Sequence, residues 1–159
     1  MSIPGIEAIA LDPLIHFYQD FQQNSSNKCS FINGTAEKMP LTDNSVDFCI
    51  CLNAIDHMQS PDEALGQIRR VLKTGGKLCI SCSVFNRWSR PLFPLFNLLD
   101  TPHPHHFTKS SFSNMLRKNK FKIDLVFPTN KIDIQSLKGK IGKIFGFEQV
   151  FMYCSIREK

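Results

Sequence analysis

Two apolar runs of strand length flank one amphipathic helix between residues 46 and 84, and nothing else in the chain limits its fold so tightly. Val46–Leu52 reads VDFCICL, close to a continuous apolar run, which marks a strand covered on both faces. Ser60, Pro61 and Glu63 then form a helix start. The serine caps, the proline takes the first helical position, and the glutamate completes a capping box. Ala64, Leu65, Ile68, Val71 and Leu72 recur at helical spacing and predict the buried stripe. Arg69, Arg70 and Lys73 suit the negative C-terminal end of this helix, and Gly75-Gly76 predicts a stop near Thr74. Residues 77–84 turn apolar again and predict the next strand.

The same alternation extends to both sides. Residues 6–11 predict a short buried strand, and Asp12-Pro13 predicts a helix start with Leu14, Phe17, Tyr18 and Phe21 on its apolar face. After a polar loop at 22–28, residues 29–33 predict a second strand, followed by a loop over 34–45. Downstream, residues 85–99 are apolar, aromatic and broken by proline, which predicts a lid or substrate-side insertion within 85–107. Thr108 predicts the cap of a helix carrying Phe112, Met115 and Leu116. Phe121, Ile123, Leu125 and Phe127 alternate as a strand. Residues 131–146 form a lysine- and glycine-bearing connection, and 147–156 predict a last strand. Strand–helix alternation over 159 residues predicts an α/β sandwich with a mainly parallel sheet, in one domain with a sizeable core.

The bulk properties exclude several classes. No run reaches the roughly 18 apolar residues that span a bilayer. The N-terminal MSIPGIEAIALDP has no basic region ahead of an apolar one, as a secretory signal would, so a cytoplasmic protein is expected. Five of the six cysteines, Cys49, Cys51, Cys79, Cys82 and Cys154, lie within apolar strand-like runs, where cysteine acts as a small hydrophobe. Neither Cys49–Cys51 nor Cys79–Cys82 sits in a turn, so reduced core thiols are expected, not a zinc knuckle or disulfides. The net charge is +5, and Lys131, Lys138, Lys140, Lys143 and Lys159 gather towards the C-terminus. They read as a solvated face or as a contact for an anionic partner such as RNA or a lipid headgroup, although no nucleic-acid motif accompanies them.

Residues 34–83 read GTAEKMPLTDNSVDFCICLNAIDHMQSPDEALGQIRRVLKTGGKLCISCS. This stretch resembles the central part of a class I S-adenosylmethionine-dependent methyltransferase of the small-molecule group. The resemblance implies a Rossmann-like three-layer sandwich, S-adenosylmethionine as cofactor, and a small-molecule or lipid acceptor. It also implies roles for particular residues. Asp12, at the end of the first strand, would take the ribose hydroxyls, a pair that suits a carboxylate, while capping the next helix. Thr35 stands where relatives have an aspartate that holds the adenine amino group, so that contact would be weaker. Ala36 would offer its backbone N–H to the adenine ring, with Glu37 beside it and Met39 packing near the base. Cys51, Leu52 and Asn53, ending the third strand, would pass beneath the methionine part of the cofactor.

The resemblance also implies a first strand, a Gly-x-Gly-type turn and a helix ahead of residue 6, with that strand lying between the strands at 6–11 and 46–52. None of the eight glycines forms such a turn. The expected consequences are weak or conditional cofactor binding and two unpaired inner sheet edges. The sheet would then close up, or a homodimer or partner chain would complete it. Two rival readings stand beside methyl transfer. One is a non-catalytic remnant acting as a binding or regulatory subunit. The other is a nicotinamide-dependent Rossmann enzyme, which leaves residues 34–83 unexplained. His57 has a pKa suited to general-base work, but the histidine at this place in the family is structural. His103, His105 and His106 lack the cysteine or carboxylate company of a metal site and read as structural or substrate-side residues.

Overall fold

The computed structural model describes residues 5–18, 29–99, 104–129 and 148–157. Along these, β1 (Ala8–Leu11) and β2 (Cys29–Ile32) are followed by β3 (Val46–Leu52), α1 (Pro61–Val71) and β4 (Leu72–Phe85). Next come α2 (Phe93–Leu99), β5 (Phe107–Thr108), α3 (Lys109–Lys118), β6 (Phe121–Thr129) and β7 (Glu148–Ile156). Short 3-10 turns occur at Ile15–Tyr18, Ala36–Lys38, Ile55–His57 and Arg87–Leu92. Phe21, the loop 22–28, His103 and the connection 131–146 lie outside the described residues. No helix among the described residues is long and apolar enough to cross a membrane.

The strands form two sheets. β1 and β2 pair in parallel, Ala8 opposite Cys29 through Leu11 opposite Ile32. The larger sheet has the order β3-β4-β7-β6, with β5 on β4. Its β3–β4 and β4–β5 pairs are parallel, whereas β4–β7 and β6–β7 are antiparallel. The expected mainly parallel sheet is therefore a mixed one. β7 enters between β4 and β6 from the opposite direction, as one antiparallel insertion into an α/β sheet commonly does.

α1 begins where the sequence predicts. Ser60 Oγ accepts the Glu63 N–H at 3.4 Å, and Pro61 occupies the first turn. It ends at Val71, three residues before Thr74. Leu72 is extended and almost wholly buried, and its pairing with Val46 opens β4. Burial and pairing of Leu72 thus outweigh continuation of the helix. Gly75 and Gly76 serve the register shift that follows. Gly75 has φ +79, and a Cβ on Gly76 would lie 2.8 Å from the Lys73 carbonyl oxygen.

The core lies on one face of the larger sheet. Leu78, Ile80, Cys82 and Val84 of β4, with Val150, Met152 and Cys154 of β7, pack beneath Leu65 and Ile68 of α1 and Phe112 and Leu116 of α3. Thr108 caps α3 by accepting the Ser111 N–H at 3.1 Å. Alternation sends Phe48, Ile50 and Leu52 to the opposite face, where all three are exposed. The two sheets do not close up against each other. β1 pairs with β2 and β3 with β4, leaving one edge of each without a described strand.

Candidate functional site

The carboxyl ends of β1 and β2 meet at Asp12. Its N–H donates to the Ile32 carbonyl at 3.2 Å, which places it within about 15–20 Å of Ala36, four residues further on. Asp12 Oδ1 accepts the Leu14 N–H at 2.7 Å, so the carboxylate caps the following turn. Oδ2 has no partner among the described residues, and one carboxylate can hold the turn and still accept a ligand hydroxyl. Asn33 Nδ2 and His16 Nδ1 lie 3.1 Å apart and tie the end of β2 to the same turn. His16 is a positioning contact that the sequence reading missed.

The loop after β2 is held by the larger sheet. Glu37 Oε1 accepts the N–H groups of Gln59 at 2.9 Å and Ser60 at 3.4 Å, at the start of α1. Burial alone would raise its pKa. The backbone donors of Glu37 itself, Ser60 and Gln59, with the Thr35 hydroxyl, outweigh that and hold the carboxyl below its ordinary value. Arg70 of α1 anchors the next part of the loop. Its guanidinium donates to the carbonyls of Leu41 at 2.7 Å and Met39 at 2.8 Å, and pairs with Asp43 at 2.6 Å. Residues that the helix dipole accounts for in the sequence thus include one that fixes the loop. Met39 and Ala36 pack partly buried against the core, and the Ala36 N–H, at the start of its 3-10 turn, makes no hydrogen bond among the described residues.

At the end of β3, Cys51 points into the core and Leu52 to the bare face. Burial pushes the Cys51 thiol up to about 12, with Cys49 and Asp56 adding to the shift, so Cys51 can offer only backbone to a ligand. Asn53 has φ 49, a left-handed conformation that asparagine tolerates. Its N–H donates to Ser81 Oγ at 3.1 Å, and its Oδ1 accepts from Ser81 Oγ at 3.3 Å and Gln149 Nε2 at 2.6 Å. Ser81 and Gln149 are the supports of this corner, and no local motif announces them. Asp56, two residues past Ala54, is buried with Oδ1 lacking a hydrogen bond, an arrangement that costs about 1–3 kcal/mol.

The histidines are engaged structurally. The His105 ring donates through Nε2 to the Gln59 carbonyl at 3.3 Å and stacks on Phe107. His106 packs between Phe85 and Phe93. His57 lies exposed in its turn, its N–H donating to the Ala54 carbonyl at 3.1 Å. An open cleft of about 420 Å³ lies at the carboxyl end of β4, lined by Phe85, Asn86, Arg87, Lys109, Arg117 and Glu148 among others.

The Methyltransferase domain family model matches residues 4–80. The ubiquinone/menaquinone biosynthesis C-methyltransferase of Rubrivivax gelatinosus is 41% identical over 70 residues, covering 43% of this chain and 28% of that protein. The chain thus spans less than a third of that relative's length. Among solved structures, the YcgJ protein of Bacillus subtilis superposes with a TM-score of 0.74 at 17% identity, covering 98% of this chain and 85% of its own. An S-adenosylmethionine-dependent methyltransferase of Mesorhizobium loti gives 0.69 at 14%, covering 95% and 81%. Both likenesses bear on fold alone.

Proposed function

Because residues 4–80 match the Methyltransferase domain family model, we propose that the chain is a class I S-adenosylmethionine-dependent methyltransferase domain that holds the adenosine end of that cofactor for methyl transfer to a small-molecule or lipid acceptor. The observation that supports this reading is the chain of bonds that joins the ends of β1 and β2 to the connection after β3: Asp12 to Ile32, and Glu37 to Gln59 and Ser60 at the start of α1. In an open α/β sheet such ends are where ligands bind.

The fit rests on the open oxygen of Asp12 and the open N–H of Ala36. Asp12 Oδ2 takes the ribose hydroxyls while Oδ1 stays on Leu14. Ala36 donates to the adenine ring, and Thr35 and Met39 border the base. Glu37 acts through the loop it fixes. Asn53, held by Ser81 and Gln149, presents the strand end on which the methionine part rests, with the backbone of Cys51 and Leu52 beneath. The cofactor supplies an already activated methyl group, so alignment and exclusion of water are what the protein adds. The acceptor enters by the cleft lined by Arg87, Lys109 and Glu148. Lipid quinone precursors are the first acceptors to assay, given the named role of the Rubrivivax relative. The free cysteines support a cytoplasmic setting.

Cofactor titration by calorimetry tests the reading. Donors for the methionine carboxylate are not among the residues proposed here. Hydrogen bonds to a charged group contribute about 1.5–3 kcal/mol each, and two of them about 3–6 kcal/mol, or two to four powers of ten in affinity. The expected dissociation constant of the 159-residue chain is therefore in the millimolar range, rising at least about tenfold further in Asp12→Ala by loss of one comparable bond or more. Absence of any binding, or binding unaffected by Asp12→Ala, would remove the adenosine-site assignment. The unpaired edges favour a second reading, a binding or regulatory subunit without turnover. Saturable cofactor binding with no methyl transfer to any acceptor would select it.

A further inference from the structure

The cleft at the carboxyl end of β4 is uneven in charge. Arg87, just past β4, and Lys109 and Arg117 of α3 all line it, against a single acid, Glu148. Three cations against one acid leave two uncompensated positive charges. The side chains of Arg87 and Lys109 have no ion pair or hydrogen bond among the described residues, and Arg117 reaches only Asn114 Oδ1, at 3.4 Å. By contrast, Arg70, Lys73, Lys118 and Lys122 each pair with an aspartate. Ser110, Ser113 and Arg117 recur at helical spacing, so one polar face of α3 borders the cleft. The charge comes from side chains and not from the helix end, because Thr108 already takes the Ser111 N–H at the start of α3. Val84 and Phe85 add an apolar wall, with the Phe85 ring edge-on to Phe93 at 5.8 Å.

We propose that this cleft binds a phosphate monoester, with the organic part of the molecule against Val84 and Phe85. The inference rests on the cleft being the acceptor's entrance, and it names the acceptor's class. A phosphate monoester carries about −1.5 to −2 at pH 7, which matches the uncompensated charge, whereas a carboxylate leaves part of it unmatched. The guanidinium groups of Arg87 and Arg117 suit phosphate oxygens through paired N–H donors, and Lys109 adds a point charge. The hydroxyls of Ser110 and Ser113 are further donors on the same wall. The volume of about 420 Å³ is that of a small-ligand pocket and exceeds what a bare phosphate ion fills.

The test is calorimetric titration of the full chain, without cofactor, with phenyl phosphate at neutral pH and low salt, where exposed charges are least screened. Saturable binding is expected. It should weaken at least about tenfold in Arg87→Ala and in Lys109→Ala, by loss of a charge-assisted bond in each. It should weaken again below about pH 6, where the phosphate becomes a monoanion. Glu148→Gln should tighten binding, because a like charge is removed. Inorganic phosphate, which lacks the apolar part, and phenylacetate, which has one charge, should both bind more weakly. Lys122→Ala, on β6 outside the cleft, should change nothing. No saturable binding overturns the proposal, and so does indifference to Arg87→Ala or equal weakening by Lys122→Ala. Competition by a short-chain phosphatidate would assign the ester to a lipid headgroup, and its failure to compete would assign it to a soluble metabolite; either supports the site. Asp12→Ala should leave phenyl phosphate binding intact. Phosphate binding without cofactor binding would uphold this cleft and remove the adenosine-site reading, and the converse result would do the reverse.

Discussion

Glu37 carries a charge that the fold uses. Its carboxyl is held below the ordinary value of 4.5 by backbone donors that overcome its partial burial. A depressed carboxylate contributes stability above its unfolded pKa and loses it as pH falls through the lower folded value. Stability should therefore be flat above about pH 5 and decline below 4.5, with Asp62, held down by Lys118 and Asn119, adding to the decline. Glu37→Gln keeps an acceptor but no titration, so acid unfolding followed by circular dichroism should show a shallower slope. An unchanged slope would mean that the bonds to Gln59 and Ser60 do not persist in solution. The thiols behave oppositely. Burial pushes Cys49 up to about 11 and Cys51 and Cys154 up to about 12, and Cys82 also upward. At pH 8 well under about 1% of each is thiolate. Mass spectrometry after iodoacetamide treatment should find these four unmodified until denaturant is added, and early labelling of Cys51 would contradict its burial.

Arg70 acts at the scale of the element, joining α1 to the loop over 39–43. Arg70→Ala removes charge-assisted bonds to two carbonyls and is expected to cost about 1–3 kcal/mol in urea unfolding. Arg70→Lys restores a charge but not the forked geometry, so it should recover only part of that loss. Equal stability of all three proteins would show the clamp to be a surface pair of no consequence. The helix starts at Ser60 and Thr108 were legible because capping is chemistry local to a few residues. The end of α1 was not, because pairing of Leu72 with Val46 is settled twenty-six residues away. The same limit hid His16, Arg70, Ser81 and Gln149, whose partners come from other elements. It also hid the direction of β7, for which its own alternation holds no information. Asp12 and Asn53 were legible only as strand ends.

For the whole molecule, the split sheet predicts split stability. β1 and β2 make a two-stranded sheet, and such a pair is at best marginal in water without a packed face. Its ties to the rest run through one loop: Ala36 and Met39 pack against the core, Glu37 bonds to Gln59 and Ser60, and Arg70 holds the loop carbonyls. The larger sheet instead rests on a core that includes Leu65, Ile68, Phe112, Ile80 and Met152, each almost wholly buried. Deleting one such side chain, as in Leu65→Ala, costs about 2–5 kcal/mol. Amides at 8–11 and 29–32 should therefore exchange by local opening, at least about a hundredfold faster than those at 78–84 and 150–154, a gap of about 3 kcal/mol. Leu65→Ala should speed the second group and leave the first unchanged. A ligand at Asp12 and Ala36 should do the reverse, slowing the small sheet first, because stabilisation by binding falls on the states that hold the site together. Equal protection in both sheets of the free chain would show that they unfold as one unit and that the space between them is already closed.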